Sequence, residues 1–291
     1  MASLDKTADL AGPGIGDYAE LEQVLPDDYT PLLTPNETQR ALAAVKRHIE
    51  DGLCRELGLI RVEVPLIVGS GTNDTRHAGE LTARAAGAGM DGVLVVTPYY
   101  SKPTQEGVLA HFRAVADTAE LPVMLYDIPG RSSITISDET YAQICTHPNV
   151  VAVKDAVGDL ARGVRLMQET GLAFYSGDDV LNLGWLTHGA AGVVSVVGHI
   201  AGQRYADMTA AVQRGDLTTA LDIYRDLGPL VEVVMTRAQG AMTAKAAMQI
   251  FGVLDNRNVR LPLVPASDEL VADLRTVMTD LGFLTGAEAH T

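Results

Sequence analysis

The chain has 291 residues, and its 37 acidic and 22 basic side chains give a formal net charge of −15. This acidic balance disfavours nucleic acid and an anionic membrane surface as partners. No apolar run is long enough to span a bilayer, and the first residues lack the pattern of a secretory signal. Cys54 and Cys145 lie far apart in the sequence, which is typical of reduced thiols in a cytoplasmic protein.

The first sixty residues differ in character from the rest. Residues 1–28 are rich in Gly, Pro, Asp and Glu, which favours a loosely ordered lead-in. Thr34 then predicts the N-cap of a helix, because Glu37 completes a capping box three residues later. An apolar stripe extends this predicted helix to Leu57, and we expect the following glycine to end it.

From residue 62 onward, short apolar runs alternate with helical patterns. The predicted strands are Val64–Val68, Gly92–Val96, Val123–Tyr126, Val150–Lys154, Leu172–Ser176 and Gly192–Val197. The predicted helices between them include Gly79–Ala88, Gln105–Thr118, Ser137–Thr146 and Leu160–Thr170. This rhythm favours a parallel α/β sheet, either a (β/α)8 barrel or a doubly wound sheet. No G-x-G-x-x-G follows any strand, which weakens the dinucleotide-binding alternative.

After Ile200 the pattern is helical almost throughout and predicts about three helices, with breaks at Gly215 and at Gly228-Pro229. We therefore divide the chain into an atypical N-terminal head over residues 1–61, a (β/α) barrel body over residues 62–200 and a C-terminal helical extension over residues 201–291.

Lys154 is the most informative residue of the chain. It ends the apolar run Val150–Lys154, so we expect it to bring an amine to the carboxyl edge of the sheet, where active sites of parallel α/β proteins form. Apolar surroundings disfavour the charged form of a lysine, and a free amine can form a Schiff base with a carbonyl compound. The alternative to a catalytic role is a lysine whose side chain only extends from the strand end into solvent.

The motifs around Lys154 resemble those of a known family. In chain order they are Thr97-Pro98-Tyr99-Tyr100-Ser101-Lys102-Pro103, Tyr126-Asp127-Ile128-Pro129-Gly130-Arg131, Val153-Lys154-Asp155 and Tyr175-Ser176-Gly177-Asp178-Asp179. This series resembles the pyruvate-dependent class I aldolase superfamily, and most closely its dihydrodipicolinate synthase family, over about residues 62–284. The resemblance implies an α/β fold, a (β/α)8 TIM barrel with a C-terminal helical extension.

The resemblance also implies catalytic roles for three residues. Lys154 matches the lysine that forms the Schiff base with pyruvate, and Tyr126 matches the tyrosine that shuttles protons. Tyr100 matches a relay tyrosine that reaches across a dimer interface into the neighbouring site. The implied reaction condenses pyruvate with L-aspartate-4-semialdehyde in lysine and diaminopimelate biosynthesis, with a covalent imine on Lys154 and no separate cofactor. The implied assembly is a homo-oligomer, a dimer or a tetramer.

Three further residues are implied to bind substrate. Arg131 matches the arginine that receives the carboxylate of aspartate semialdehyde, which suits a planar guanidinium. Val194 matches the residue whose backbone carbonyl faces pyruvate, and Gly177 lies beside that pocket. Asp178-Asp179 has no nearby histidine or third carboxylate, so we expect a turn or helix cap there and assign no metal.

The start of the chain departs from the family pattern. The family's strand ending in T-P-F and its G-T-T-G-E motif, whose threonines hold the pyruvate carboxylate, are both absent from this sequence. Residues 27–68 instead resemble the start of aspartate–ammonia ligase. The barrel is therefore expected to be incomplete at its first two strands. Two alternatives stay open: another pyruvate-dependent aldolase, of the N-acetylneuraminate lyase or 2-keto-3-deoxy sugar acid aldolase type, and a catalytically impaired chimeric scaffold.

Overall fold

A computed structural model describes residues 65–284, so the predicted helix Glu37–Leu57 and the head as a whole lie outside the described residues. Six strands form one sheet in the order β1-β2-β3-β4-β5-β6, and every neighbouring pair is parallel. The strands are β1 (Ile67–Gly69), β2 (Gly92–Val96), β3 (Val123–Asp127), β4 (Val150–Asp155), β5 (Ala173–Ser176) and β6 (Gly192–Val193). Each strand therefore lies beside the next in sequence, as right-handed helical crossovers require.

Helices follow the strands and then continue alone. The crossover helices are α1 (Thr75–Gly87), α2 (Gln105–Ala116), α3 (Pro129–Ser132), α4 (Asp138–Ile144), α5 (Leu160–Thr170) and α6 (Asn182–Thr187), with a 3-10 turn at Asp179–Leu181. The later helices are α7 (Gly198–Gln213), α8 (Leu217–Thr236), α9 (Gly240–Ile250) and α10 (Asp268–Asp280). In residues 65–284 no helix combines the length and the apolar character that a membrane crossing requires.

Most predicted elements are present, with shifted ends. Strand β2 and helix α5 have the predicted bounds. Helix α1 begins four residues earlier than predicted, because the carboxylate of Asp74 accepts a hydrogen bond from the backbone N–H of His77 at 2.6 Å and caps the helix. The division between body and extension after residue 200 falls inside α7.

Two predictions about the second half are wrong. The strand predicted over Gly192–Val197 ends at Val193. The buried carboxylate of Asp179 accepts hydrogen bonds from the backbone N–H groups of Val196 and Val197, and the chain therefore turns into α7. The break predicted at Gly228-Pro229 lies inside the continuous helix α8, where Leu227 and Leu230 are almost completely buried. Their packing holds the helix despite the hydrogen bond that proline removes. The C-terminal region nevertheless has four helices where about three were predicted, because the chain breaks after Thr236 and again after Ile250.

One hydrophobic layer lies between the sheet and its crossover helices. Leu125, Val153 and Phe174 alternate along their strands with residues of the opposite face and are fully buried against these helices. The indole of Trp185 in α6 stacks on Phe174, with ring centroids 6.0 Å apart. A second buried cluster joins the later helices to one another. The face of the sheet that bears Lys154 is thus supported from behind by a packed layer.

Helix α5 approaches the Trp185 ring so closely that its position 163 must be glycine. A Cβ atom on Gly163 would lie 2.2 Å from the indole Cη2 atom. We expect Gly163→Ala to lower the free energy of unfolding by about 1–3 kcal/mol, the usual cost of overpacking. Urea denaturation measures this loss. Gly228→Ala in α8 is the matched control, since a Cβ there meets nothing within 4 Å; equal stability of the two variants would contradict the packing account.

Candidate active site

The pairing of β3 with β4 brings Tyr126 and Lys154 together. They are direct register partners in adjacent parallel strands, so their side chains leave the same face of the sheet. The Nζ atom of Lys154 lies 4.2 Å from the centroid of the Tyr126 ring. Both residues are half-buried and lie at the carboxyl ends of their strands. The structure therefore places an amine against a phenol at the sheet edge where the sequence predicts the site.

Burial changes the protonation of the Lys154 amine. Desolvation lowers its pKa from the ordinary lysine value, the charge of Asp179 acts in the opposite direction, and the charge of Arg131 lowers it further. A larger fraction of the amine is consequently unprotonated near neutral pH than for a lysine in water. An unprotonated amine is the form that attacks a carbonyl carbon.

The pKa of the Tyr126 phenol is raised, so the phenol retains its proton. Burial raises its pKa, the charge of Arg131 lowers it, and the charge of Asp178 raises it. Arg131 lies in the short helix α3, directly after β3, and its side chain is exposed. The charge of Arg131 therefore acts on both Tyr126 and Lys154, and Arg131 remains a predicted site residue.

Gly177 and Val194 flank Lys154 on the side of β5 and β6. The backbone N–H of Gly177 donates to the carbonyl of Asp155 at 2.7 Å, and a Cβ on Gly177 would lie 2.9 Å from Cγ of Lys154. A larger residue at position 177 would thus displace the lysine. The N–H of Val194 donates to the carbonyl of Ser176 at 2.8 Å, which extends the pairing of the two strands by one residue.

Tyr100 does not join this cluster within the described chain. It lies in the loop between β2 and α2, and 88% of its surface is exposed. Its backbone φ is 69° and that of Lys102 is 47°, a left-handed conformation that non-glycine residues seldom adopt. The loop therefore holds an exposed tyrosine in a strained backbone, and Tyr100 remains a predicted site residue.

Two buried carboxylates beside the site have contacts that the sequence did not predict. Asp179 was predicted only as part of a turn or cap; it is 2% exposed and accepts hydrogen bonds from the β6–α7 turn. Asp127 follows Tyr126 and is also fully buried. The signal that could have indicated both is a carboxylate at or within three residues of the carboxyl end of a buried strand. In the described part of the chain, no three His, Cys, Asp or Glu side chains cluster closely enough to hold a metal ion.

The parallel α/β sheet and the half-buried lysine at its carboxyl edge are features of the lysine-dependent class I aldolases. A family model described as the dihydrodipicolinate synthetase family matches residues 57–281. The chain therefore belongs to the dihydrodipicolinate synthetase family. This match includes the last five residues of the predicted head.

Individual relatives agree with this family. The chain is 48% identical to a 4-hydroxy-tetrahydrodipicolinate synthase of Kineococcus radiotolerans over 245 residues, which are 84% of this chain and 76% of that protein. It is 47% identical to a protein of the same name from Acidothermus cellulolyticus, over 89% of this chain and 80% of the relative. The crystal structure of the dihydrodipicolinate synthase from Cyanidioschyzon merolae with lysine bound superposes with a TM-score of 0.77 at 36% identity, covering 87% of this chain and 82% of the other.

The buried Asp127 predicts a specific pH dependence of stability. Its Oδ2 atom accepts hydrogen bonds from Thr135 Oγ1 at 2.8 Å, the Ile136 N–H at 3.1 Å and Tyr141 Oη at 3.3 Å. Burial nevertheless dominates and raises the pKa of Asp127 to about 6. Because the folded pKa lies above the unfolded value, folding favours the protonated carboxyl. The unfolding free energy should therefore fall by about 3 kcal/mol as pH rises from about 4 to about 6.

Urea denaturation of Asp127→Asn across this pH range isolates that contribution. The amide is neutral at every pH, and its oxygen can accept the hydrogen bonds that Asp127 Oδ2 accepts. We expect the unfolding free energy of the variant, relative to the parent chain, to increase as pH rises through this window. Parallel stability curves for the two proteins would show that Asp127 does not titrate there.

Proposed function

We propose that the reaction of this chain proceeds through an imine between the Lys154 amine and pyruvate. The chain is a lyase of its family, and the activity is the condensation of pyruvate with L-aspartate-4-semialdehyde to 4-hydroxy-tetrahydrodipicolinate, a step of lysine and diaminopimelate biosynthesis. The single observation that carries the proposal is the Lys154 amine, half-buried and 4.2 Å from the Tyr126 ring. No separate cofactor is needed, because the protonated imine itself accepts electrons.

The proposed chemistry assigns proton transfers to Tyr126. The Lys154 nitrogen attacks the keto carbon of pyruvate, and the resulting carbinolamine loses water to give the protonated imine. Loss of a proton from the pyruvate methyl group then gives an enamine, whose carbon attacks the aldehyde carbon of the second substrate. A positioned phenol with its proton retained can deliver that proton to the leaving hydroxyl and recover it afterwards. The raised pKa of Tyr126 supports this role.

The proposed position of the second substrate rests on Arg131. The site otherwise presents an amine, a phenol and backbone groups, so an exposed guanidinium at its rim is the natural partner of a substrate carboxylate. A planar guanidinium can bind both carboxylate oxygens at once. On the opposite side, we propose that the Val194 carbonyl and Gly177 border the pyruvate. The close approach of Gly177 to Lys154 supports this arrangement.

We also propose that the sheet belongs to a (β/α)8 barrel that is incomplete at its first two strands, with a C-terminal helical extension. Six parallel strands are described, and a barrel of this class has eight. The family's T-P-F and G-T-T-G-E motifs are absent from this sequence, which supports a barrel that departs from the family at its first two strands.

The proposed assembly is a cytoplasmic homo-oligomer. The exposed Tyr100 with its strained backbone supports a contact in which one protomer supplies this tyrosine to the site of its partner. The free thiol of Cys145 supports a reducing compartment. Among the alternatives, the other pyruvate-dependent aldolases are not favoured, because the curated relatives carry the synthase name. The impaired scaffold is separated from the enzyme by the following experiment.

Borohydride trapping tests the imine directly. Incubation of the protein with pyruvate and borohydride should add a reduced pyruvyl group to the peptide that contains Lys154, and Lys154→Ala should abolish the adduct. Lys102→Ala is the matched control, because Lys102 lies outside this cluster in the exposed loop after β2. An adduct on another lysine would overturn the assignment, while trapping without turnover would favour the impaired scaffold.

Loss of Arg131 should affect the second substrate more than the first. Arg131→Ala removes a charge-assisted contact, so we expect kcat/KM for aspartate semialdehyde to fall about 30- to 150-fold, equivalent to about 2–3 kcal/mol. Pyruvate trapping should change far less. Steady-state kinetics beside the trapping rate give both quantities. Equal losses in the two measurements would indicate that Arg131 supports the structure of the site instead of binding this substrate.

A further inference from the structure

We propose that Asp179 is a positioning residue of this site: its carboxylate fixes the β6–α7 turn that carries Val194. This inference rests on the proposed imine chemistry of Lys154 and deepens it. Asp179 is not one of the residues that the family motifs assign to catalysis or substrate binding.

The carboxylate of Asp179 binds the turn through both of its oxygens. Oδ2 accepts from the backbone N–H groups of Val196 at 2.9 Å and Val197 at 3.2 Å. Oδ1 accepts from the hydroxyl of Ser195 and from the side-chain amide of Asn182, the latter at 2.9 Å. All four donors are neutral. The carboxylate thus connects the start of α6 to the residues that directly follow β6. None of these four donors is a cation, so none of them neutralises its charge.

These bonds determine where Val194 lies. On its N-terminal side, its own N–H is bound to the carbonyl of Ser176 in β5. On its C-terminal side, the Ser195 hydroxyl donates to Asp179 and accepts from the N–H of Gly198 at 2.7 Å, at the start of α7. Val194 is therefore held from both sides, and a substrate that contacts its carbonyl meets a preorganised group.

The charge of Asp179 has a second consequence. Lys154 is faced by Tyr126 from β3, by its register partner Tyr175 in β5, by Arg131 from α3 and by Asp179. Of these groups, Asp179 favours positive charge on the lysine nitrogen, whereas burial and Arg131 disfavour it. The protonated imine carries its charge on the same nitrogen, so the carboxylate stabilises that intermediate as well. Tyr205 of α7 faces Asp179 from the other side, and burial together with this charge raises the pKa of its phenol.

Asp178 provides a matched control for this charge. It is the neighbouring carboxylate, and it caps the 3-10 turn by accepting a hydrogen bond from the Val180 N–H at 3.2 Å. Its charge acts on Tyr126 and is not among the influences on Lys154. Asp178→Asn and Asp179→Asn therefore remove the same formal charge from adjacent positions, but only the second change should alter the lysine.

The pH dependence of pyruvate trapping tests the charge. With Asp179→Asn we expect the midpoint of the initial trapping rate to move to lower pH, because the amine loses the carboxylate that favours its protonated form. With Asp178→Asn the midpoint should stay at the parent value. A purely structural residue would lower the rate without moving the midpoint. An unchanged midpoint in a folded Asp179→Asn variant overturns the electrostatic part of the proposal.

Ser195→Ala tests the positioning separately and also decides the case if Asp179→Asn does not fold, as judged by thermal melting. This variant keeps the carboxylate charge and removes only the hydroxyl that links Asp179 to the turn. We expect the KM for pyruvate to rise about tenfold or more, the effect of losing one hydrogen bond to a charged group, with the midpoint unchanged. A parent-like KM overturns the positioning role. A parent chain that traps no pyruvate contradicts the proposed function and this inference together, whereas a trapping parent with unaffected variants contradicts only the inference.

Discussion

The parallel register between β3 and β4 is the constraint on which the site depends. It pairs Tyr126 with Lys154 and, one residue later, Asp127 with Asp155. Because successive side chains leave opposite faces of a strand, the first pair faces the site and the second pair faces the helical layer. The same few residues thus supply the reactive groups on one face and polar anchors on the other. A shift of one residue would exchange the two sets.

The polar anchors hold the loops that surround the amine. Asp127 binds the backbone of Ile136 and the hydroxyl of Thr135 beyond α3, so it fixes the segment that follows Arg131. Asp155 accepts from the Val157 N–H at 2.9 Å and so fixes the turn after β4. Each carboxylate is buried, which opposes its ionisation. Burial of the two carboxylates lowers the stability of the fold at neutral pH, whereas their hydrogen bonds hold the short loops in one conformation, as is common at functional sites.

The sequence predicted the sheet well where apolar periodicity alone decides the structure. Gly92–Val96 and Leu160–Thr170 have the predicted bounds, because a buried strand and an amphipathic helix are local patterns. The prediction was wrong where a distant side chain ends an element. The chain after Val193 is as apolar as a strand, but it is turned by Asp179, which lies fourteen residues earlier. Periodicity has no information about such a hydrogen bond.

The candidate site shows the same contrast between what sequence patterns predict and what contacts between distant residues determine. The family motifs predicted which residues lie at the strand ends, and the structure brings Lys154 and Tyr126 into contact there. They did not predict the charges that act on the lysine, because the carboxylate of Asp179 follows β5 and comes to the same end of the sheet as Lys154 only when β4 and β5 pair. Tyr100 is the reverse case. Its motif is specific, but the described residues show only an exposed ring and a strained backbone at this position.

The position of β6 at the edge of the described sheet explains why the side chain of Asp179 is needed to hold the β6–α7 turn. Strand β6 has only two residues and, among the described strands, it pairs with β5 alone. An inner strand is held by hydrogen bonds on both sides, whereas an edge strand has half that support. Val194 lies just beyond this short edge strand. A buried carboxylate that binds Ser195, Val196 and Val197 supplies the fixed hydrogen bonds that a neighbouring strand would otherwise provide. The β6–α7 turn is therefore held in place by Asp179 more than by the sheet.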